Sequence, residues 1–332
     1  MDSRSLLCED GRAVLALCSQ LGAGSADSDA PAPFVLSEWN DLARRLQASP
    51  WKRPAGLVGR SAPEISSTLN VVLALAERIA GRLDLGGCLA LELERLLAAG
   101  VWAVTRADAA YPASLRATLR HQAPPVLFGA GAIELLARRG TAIVGSREID
   151  AEGAEFARRL GVACARSRVP VVSGGARGTD RLAMQAALEE GGTAFGALAD
   201  SVERTVRQAD VREYLLEERL TLVTPYSPTA GFSVGAAMGR NKVIYGLADR
   251  AVVIASDWEK GGTWAGAIEA LKAGWVPVFV RDGAGGSPGN RELLRRGARS
   301  LAEPSLPDIR DLGQTPAKPA EPRVIELDLF DP

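Results

Sequence analysis

The chain has 332 residues, 47% of them hydrophobic and 24% charged, with a formal net charge of -1. That length accommodates about two domains with cores of their own, and the near-neutral balance excludes a protein that coats nucleic acid through bulk positive charge. Four scattered cysteines with no CxxC pair, and a single histidine, exclude a zinc finger and most metal sites. No apolar run approaches the ~20 residues of a membrane span. The N-terminus carries Asp2, Arg4, Glu9 and Asp10 where a signal peptide would need a basic region and an apolar core. The expectation is a reduced, cytoplasmic protein without membrane contact.

Helices are expected over 3–20 and 36–49, the second with Ser37 as its cap, joined by a small-residue loop from Gly22 to Pro33. A longer helical stretch covers about 64–100, where Val72, Leu75, Ala76, Ile79 and Leu83 recur at helical spacing. Residues 1–105 therefore read as a helical N-terminal module. From Thr141 the pattern becomes apolar runs of strand length alternating with helical stretches: AIVGS, PVVSGG, TAFGALA, TLVTPY, AVVIAS and VPVFV. Such alternation predicts an α/β domain over 106–305 with a mainly parallel sheet, Rossmann-like, covered on both faces. Residues 306–332 are rich in proline and read as a flexible tail, interrupted by the strand-like VIELDLF at 324–330.

In an open parallel sheet, ligands gather beyond the carboxyl ends of the strands. Four segments are placed to reach that edge: Gly145-Ser146-Arg147, then Ser173-Gly174-Gly175-Ala176-Arg177-Gly178, then Ser256 to Trp264, and Gly239-Arg240-Asn241-Lys242 within a helical stretch. Glycines let backbone N–H groups approach an anion, a helix N-terminus adds partial positive charge, and the arginines and lysine add full charges. Taken singly, each glycine loop is equally well a tight strand-to-helix turn. Several loops with arginines on one edge argue for phosphate.

A dinucleotide cofactor would need GxGxxG after the first strand and an acidic residue ~20 positions later. The first loop reads GSREID, and 165–173 contain no acid, so no cofactor is expected. No GxxxxGK[ST] is present. The GxSxG string at Gly231-Phe232-Ser233-Val234-Gly235 has no histidine after it, and Ser233 reads as a helix cap. Asp180 reads as a helix-start carboxylate, and no catalytic constellation is expected.

In order, these motifs resemble the DNA processing protein A (DprA, or Smf) family. The likeness runs from Tyr111-Pro112-Ala113-Ser114-Leu115 through Pro124-Pro125-Val126-Leu127-Phe128 and Gly145-Ser146-Arg147 to SGGARGTD, similar to the family's SGxARGxD. It continues in Arg240-Asn241-Lys242-Val243-Ile244, which resembles RNR-I-I, and covers roughly 85–300. The resemblance implies an extended Rossmann-like domain that binds single-stranded DNA, dimerises, and assists a RecA-type recombinase when DNA is taken up. Carried over, Gly145, Ser146, Arg147, the loop Ser173, Gly174, Gly175, Arg177 and Gly178, and Arg240, Asn241, Lys242, Gly262 and Thr263 line the strand site, with Trp258, Trp264 and Tyr245 as candidate stacking platforms.

The chain departs from the family where Gly239 replaces the first of two arginines, where Gly261-Gly262-Thr263 replaces SGS, and where the winged-helix domain that often closes the chain is not found. A rival reading is a small-nucleotide enzyme of the LOG phosphoribohydrolase type, which Gly261-Gly262-Thr263-Trp264 resembles faintly. Ala265-Gly266 stands where that enzyme needs its glutamate, with Glu269 about a turn further on.

Overall fold

The computed structural model describes residues 6–23, 30–283, 286–302 and 308–312. The segment VIELDLF and most of the tail expected over 306–332 lie outside them. The chain divides into two compact units, one holding residues up to Tyr111 with Arg120–Gly129, the other Pro112–Leu119 and the chain from Ala130 onward.

The first unit is built on five helices, α1 (Glu9–Cys18), α2 (Leu36–Ala48), α3 (Ala62–Leu69), α4 (Leu73–Asp84) and α5 (Gly86–Ala98), followed by the antiparallel pair β1 (Trp102–Thr105) and β2 (Val126–Ala130). The apolar repeat across 64–100 forms three helices, because Asn70 turns left-handed at φ 50 to end α3 and Leu85 breaks the run between α4 and α5. Glu38 sits in the first turn of α2 and accepts the N–H of Val35 at 2.9 Å, so the cap is Val35, two positions before Ser37. Trp39, Leu46, Ile65 and Ile79 are buried in this unit's core. Arg82 is buried with them, its guanidinium donating to the carbonyls of Ala16, Ser19 and Leu21. Those acceptors lie at the C-terminal end of α1, where unpaired carbonyls and the helix dipole favour a cation.

The second unit begins with α6 (Ala113–Leu119) and then alternates: β3 (Gly140–Val144), α7 (Ala151–Arg166), β4 (Val171–Ser173), α8 (Thr179–Glu189), β5 (Ala194–Ala197), α9 (Val202–Thr205), α10 (Ala209–Leu216), β6 (Leu220–Thr224), α11 (Val234–Gly246), β7 (Ala248–Val253), α12 (Gly261–Ala273), β8 (Val278–Asp282), α13 (Pro288–Arg295) and β9 (Arg299–Ala302). Its strands are ordered β6-β5-β4-β3-β7-β8-β9, and the pairs run parallel. This is the Rossmann-like, mainly parallel sheet expected from the alternation. Strands β3, β4, β5 and β6 are buried along their whole length, as strands covered on both faces must be. The edge strand β9 was not foreseen, since RSLA is short and half polar.

The chain steps outward from β3 through β4 and β5 to β6, then returns to lay β7 on the other side of β3. The reversal between β3 and β7 is a topological switch point, where the loops after neighbouring strands part and leave a crevice. Both loops there carry predicted site residues. Among the described residues no helix is long and apolar enough to cross a membrane.

Candidate nucleic-acid interface

The loops after β3 and β7 are stitched together beyond the sheet. Ile254 N–H donates to Val144 O at 2.9 Å, and Ser146 N–H to Ala255 O at 3.0 Å. The start of α12 joins them: the Thr263 hydroxyl donates to Gly145 O at 3.0 Å, and Asn241 Nδ2 on α11 donates to Gly262 O at 2.9 Å. Thr263, Gly262 and Asn241 thus hold the GSR loop in place, leaving Arg147 exposed at its tip. The Arg147 guanidinium lies over the Phe232 ring, 5.4 Å from its centre.

The loop after β4 is anchored at both ends. Ser173 Oγ donates to Ile143 O at 2.6 Å, and Thr179 Oγ1 donates to Ser146 O at 3.1 Å. Between them Gly178 has φ 81 and ψ -132, a conformation open to glycine, and a Cβ there would lie 2.4 Å from the Arg147 carbonyl. The carboxylate of Asp180 turns back under the loop, accepting the Gly174 N–H at 3.1 Å, with the Ala176 amide near enough to lower its pKa. Among the described residues the N–H groups of Gly175, Arg177 and Gly178 donate to no protein acceptor. Arg177 is exposed and forms no ion pair among the described residues, so it does not fold back on Asp180. Burial pushes the Asp180 carboxyl up to about 6, opposed by Arg240 and by the amides of Gly174 and Ala176.

Arg240, expected in the open site, is buried at 6% exposure. Its guanidinium lies against the loop backbone, Nη1 standing 1.5 Å from where a Gly174 Cβ would be, so only glycine admits it. Nε and Nη1 are buried without a hydrogen-bond partner among the described residues. Burial lowers the Arg240 pKa, with Asp180 and Tyr226 pulling the other way. Lys242 places Nζ 3.0 Å from Glu269 Oε1 on α12. Gly239, standing where the resembled family has its first arginine, faces Tyr226, whose hydroxyl donates to Ala236 O at 2.8 Å and would lie 2.5 Å from a Cβ at Gly239. A side chain there would displace that phenol.

Of the three aromatic candidates, Trp258 is 55% exposed, whereas Trp264 at 8% and Tyr245 at 1% belong to the core. Sequence reasoning passed over Phe232, which is 51% exposed beside Arg147. Its signal was an aromatic in a charge-free loop immediately before a serine cap, and Ser233 Oγ does accept the Ala236 N–H at 3.0 Å. His121 lies in the first unit and is exposed.

The doubly wound α/β domain, with open loop amides and exposed arginines near its switch point, is of the Rossmann-like class. The profile of the family described as DNA recombination-mediator protein A matches residues 102–308, and the chain belongs to that family. It is 28% identical over 185 residues to the DNA processing protein DprA of Streptococcus pneumoniae, covering 54% of this chain and 64% of that protein. It is 30% identical over 202 residues to the protein Smf of Escherichia coli, covering 58% of this chain and 52% of that one. The chain thus spans under two thirds of the length of these two relatives. Among solved structures, DNA processing protein A of S. pneumoniae matches with a TM-score of 0.58 at 22% identity, covering 81% of this chain and 95% of that one. DNA processing protein A of Helicobacter pylori, solved to show its single-stranded DNA binding mode, matches with a TM-score of 0.51 at 22% identity, covering 60% of this chain and 90% of that one. Both likenesses are of fold.

Proposed function

We propose that the chain binds single-stranded DNA at the switch point of its parallel sheet, as a recombination mediator and not as an enzyme. The observation that carries this reading is the set of open donors on one loop edge: the N–H groups of Gly175, Arg177 and Gly178 with the exposed guanidiniums of Arg147 and Arg177. Backbone amides and arginines at a helix N-terminus suit phosphate, and the nearby half-exposed Phe232 offers a flat apolar face to an unpaired base. Duplex bases are already stacked and present no such face. Family membership supports the role, and with it a cytoplasmic setting, homodimerisation and the handing of the strand to a RecA-type recombinase.

The rival nucleotide-cleaving reading needs a carboxylate free to act on the sugar. Glu269, the first acid beyond the GGT turn and about a turn past the position where that enzyme has its glutamate, is held by the Lys242 ammonium at 3.0 Å. The test is a titration of labelled single strand and duplex of equal length across a salt series. Preferential capture of the single strand, weakening steeply with salt, is expected. No capture at low salt, or release of free base from nucleoside monophosphates, overturns the proposal.

A further inference from the structure

The glycine loop already contains an anion of its own. In a loop that cradles a free phosphate, successive amides converge on the ligand. Here they are divided: Gly174 donates inward to Asp180, whose charge the Ala176 amide also stabilises, while the N–H groups of Gly175, Arg177 and Gly178 donate to no acceptor among the described residues. Asp180 is buried at 7% exposure beneath the loop, with the equally buried Arg240 guanidinium packed against Gly174 beside it.

We propose that Asp180 and Arg240 form a specificity-determining pair that restricts this site to phosphodiesters, Asp180 filling the inner half of the amide cradle as a resident anion and Arg240 offsetting its charge from behind. The inference rests on the reading of the loop as a phosphate site. A phosphomonoester carries a charge near -2 above its second pKa of about 6 and has three terminal oxygens to satisfy. It would have to share the cradle with a carboxylate that already takes the Gly174 amide. A diester carries one charge and two terminal oxygens, which the outer amides and Arg147 or Arg177 satisfy. The pair therefore favours a polymer backbone over a mononucleotide on electrostatic grounds. Arg240 touches no ligand on this account and acts through the loop, as a positioning residue.

The experiment measures competition against a labelled oligothymidylate at pH 8 and constant ionic strength. Thymidine 5′-monophosphate and its methyl ester, a diester, are compared on the wild-type protein, on Asp180→Asn and on Arg240→Gln. The wild type is expected to prefer the diester by about fivefold or more. Asp180→Asn, which keeps an oxygen for the Gly174 amide and removes the charge, is expected to improve monophosphate competition about tenfold and erase the preference. Arg240→Gln, leaving the carboxylate without its neighbour, is expected to widen it. Equal competition by the two compounds on the wild type overturns the inference even if neither variant folds, as does an unchanged ratio in a folded Asp180→Asn. Failure of the wild type to bind the oligothymidylate at all instead overturns the underlying reading.

Discussion

Two arginine-bearing segments of the second unit, Ala176-Arg177-Gly178 and Gly239-Arg240-Asn241, look alike as sequence and end in opposite environments. Arg177 stands exposed on a loop whose neighbouring amides are open, while Arg240 is 6% exposed and packed beneath that same loop. The difference follows from the elements that carry them. Arg177 sits before the first turn of α8, at the sheet's carboxyl edge, whereas Arg240 is at the middle of α11, on its buried side against Gly174. A charge in a motif is therefore a ligand contact or a support according to the face its element presents.

That contrast can be broken most forcefully at Asp180. Asp180→Ala strips the Gly174 amide of its acceptor and leaves Arg240 buried beside no carboxylate, and a loss of about 3–5 kcal/mol in urea unfolding is expected. A smaller stability shift, readable from pH, comes from the same group. Burial raises the folded Asp180 carboxyl to about 6, so its contribution is fully present below the unfolded value near 4 and is lost as pH rises through 6. The stability of the wild type relative to Asp180→Asn should fall by about 2–3 kcal/mol between pH 4 and 7. A flat difference across that window would show the carboxylate to be less buried than its setting indicates.

Gly178→Ala forces a Cβ toward the Arg147 carbonyl from a glycine conformation, and a cost of about 1–3 kcal/mol with at least tenfold weaker strand binding is expected. Arg147→Ala and Arg177→Ala should each weaken single-strand binding several-fold and lower the slope of log affinity against log salt by about 0.7, the signature of one lost phosphate contact. Arg240→Gln, by contrast, should leave that slope unchanged whatever it does to affinity, which separates a support from a contact. Lys242→Ala is expected to do least, within about 0.5 kcal/mol of stability and about twofold of affinity, because its ammonium is committed to a partly exposed pair with Glu269.

Much of the second unit was legible in advance because its strands are continuously apolar and separated by helix-length segments, a pattern that only a sheet covered on both faces explains. The reading faltered where the signal is weak: at β9, four residues with two of them polar, and at α2, where the cap is a valine whose N–H is taken by Glu38. Among site residues, SGGARG and GSR were visible as loops because glycine and serine punctuate strand ends. Thr263 and Asn241 were visible only as motif members, and their bonds to Gly145 O and Gly262 O make them the frame of the loop. Phe232 was overlooked since exposure of an aromatic cannot be read from its neighbours in the chain.

By itself the sequence determined the alternation of elements, hence the parallel sheet, and the glycines and arginines that would meet at its carboxyl edge. These follow from periodicity and backbone geometry, which are local. Only the tertiary structure decided which polar groups are spent inside the protein and which are left for a ligand. That division depends on distances across elements far apart in the chain: Asp180 taking the Gly174 amide, Arg240 lying against Gly174 from α11, and Phe232 meeting Arg147 from the loop beyond β6. Burial and electrostatic pairing are properties of those juxtapositions, and no single segment contains them.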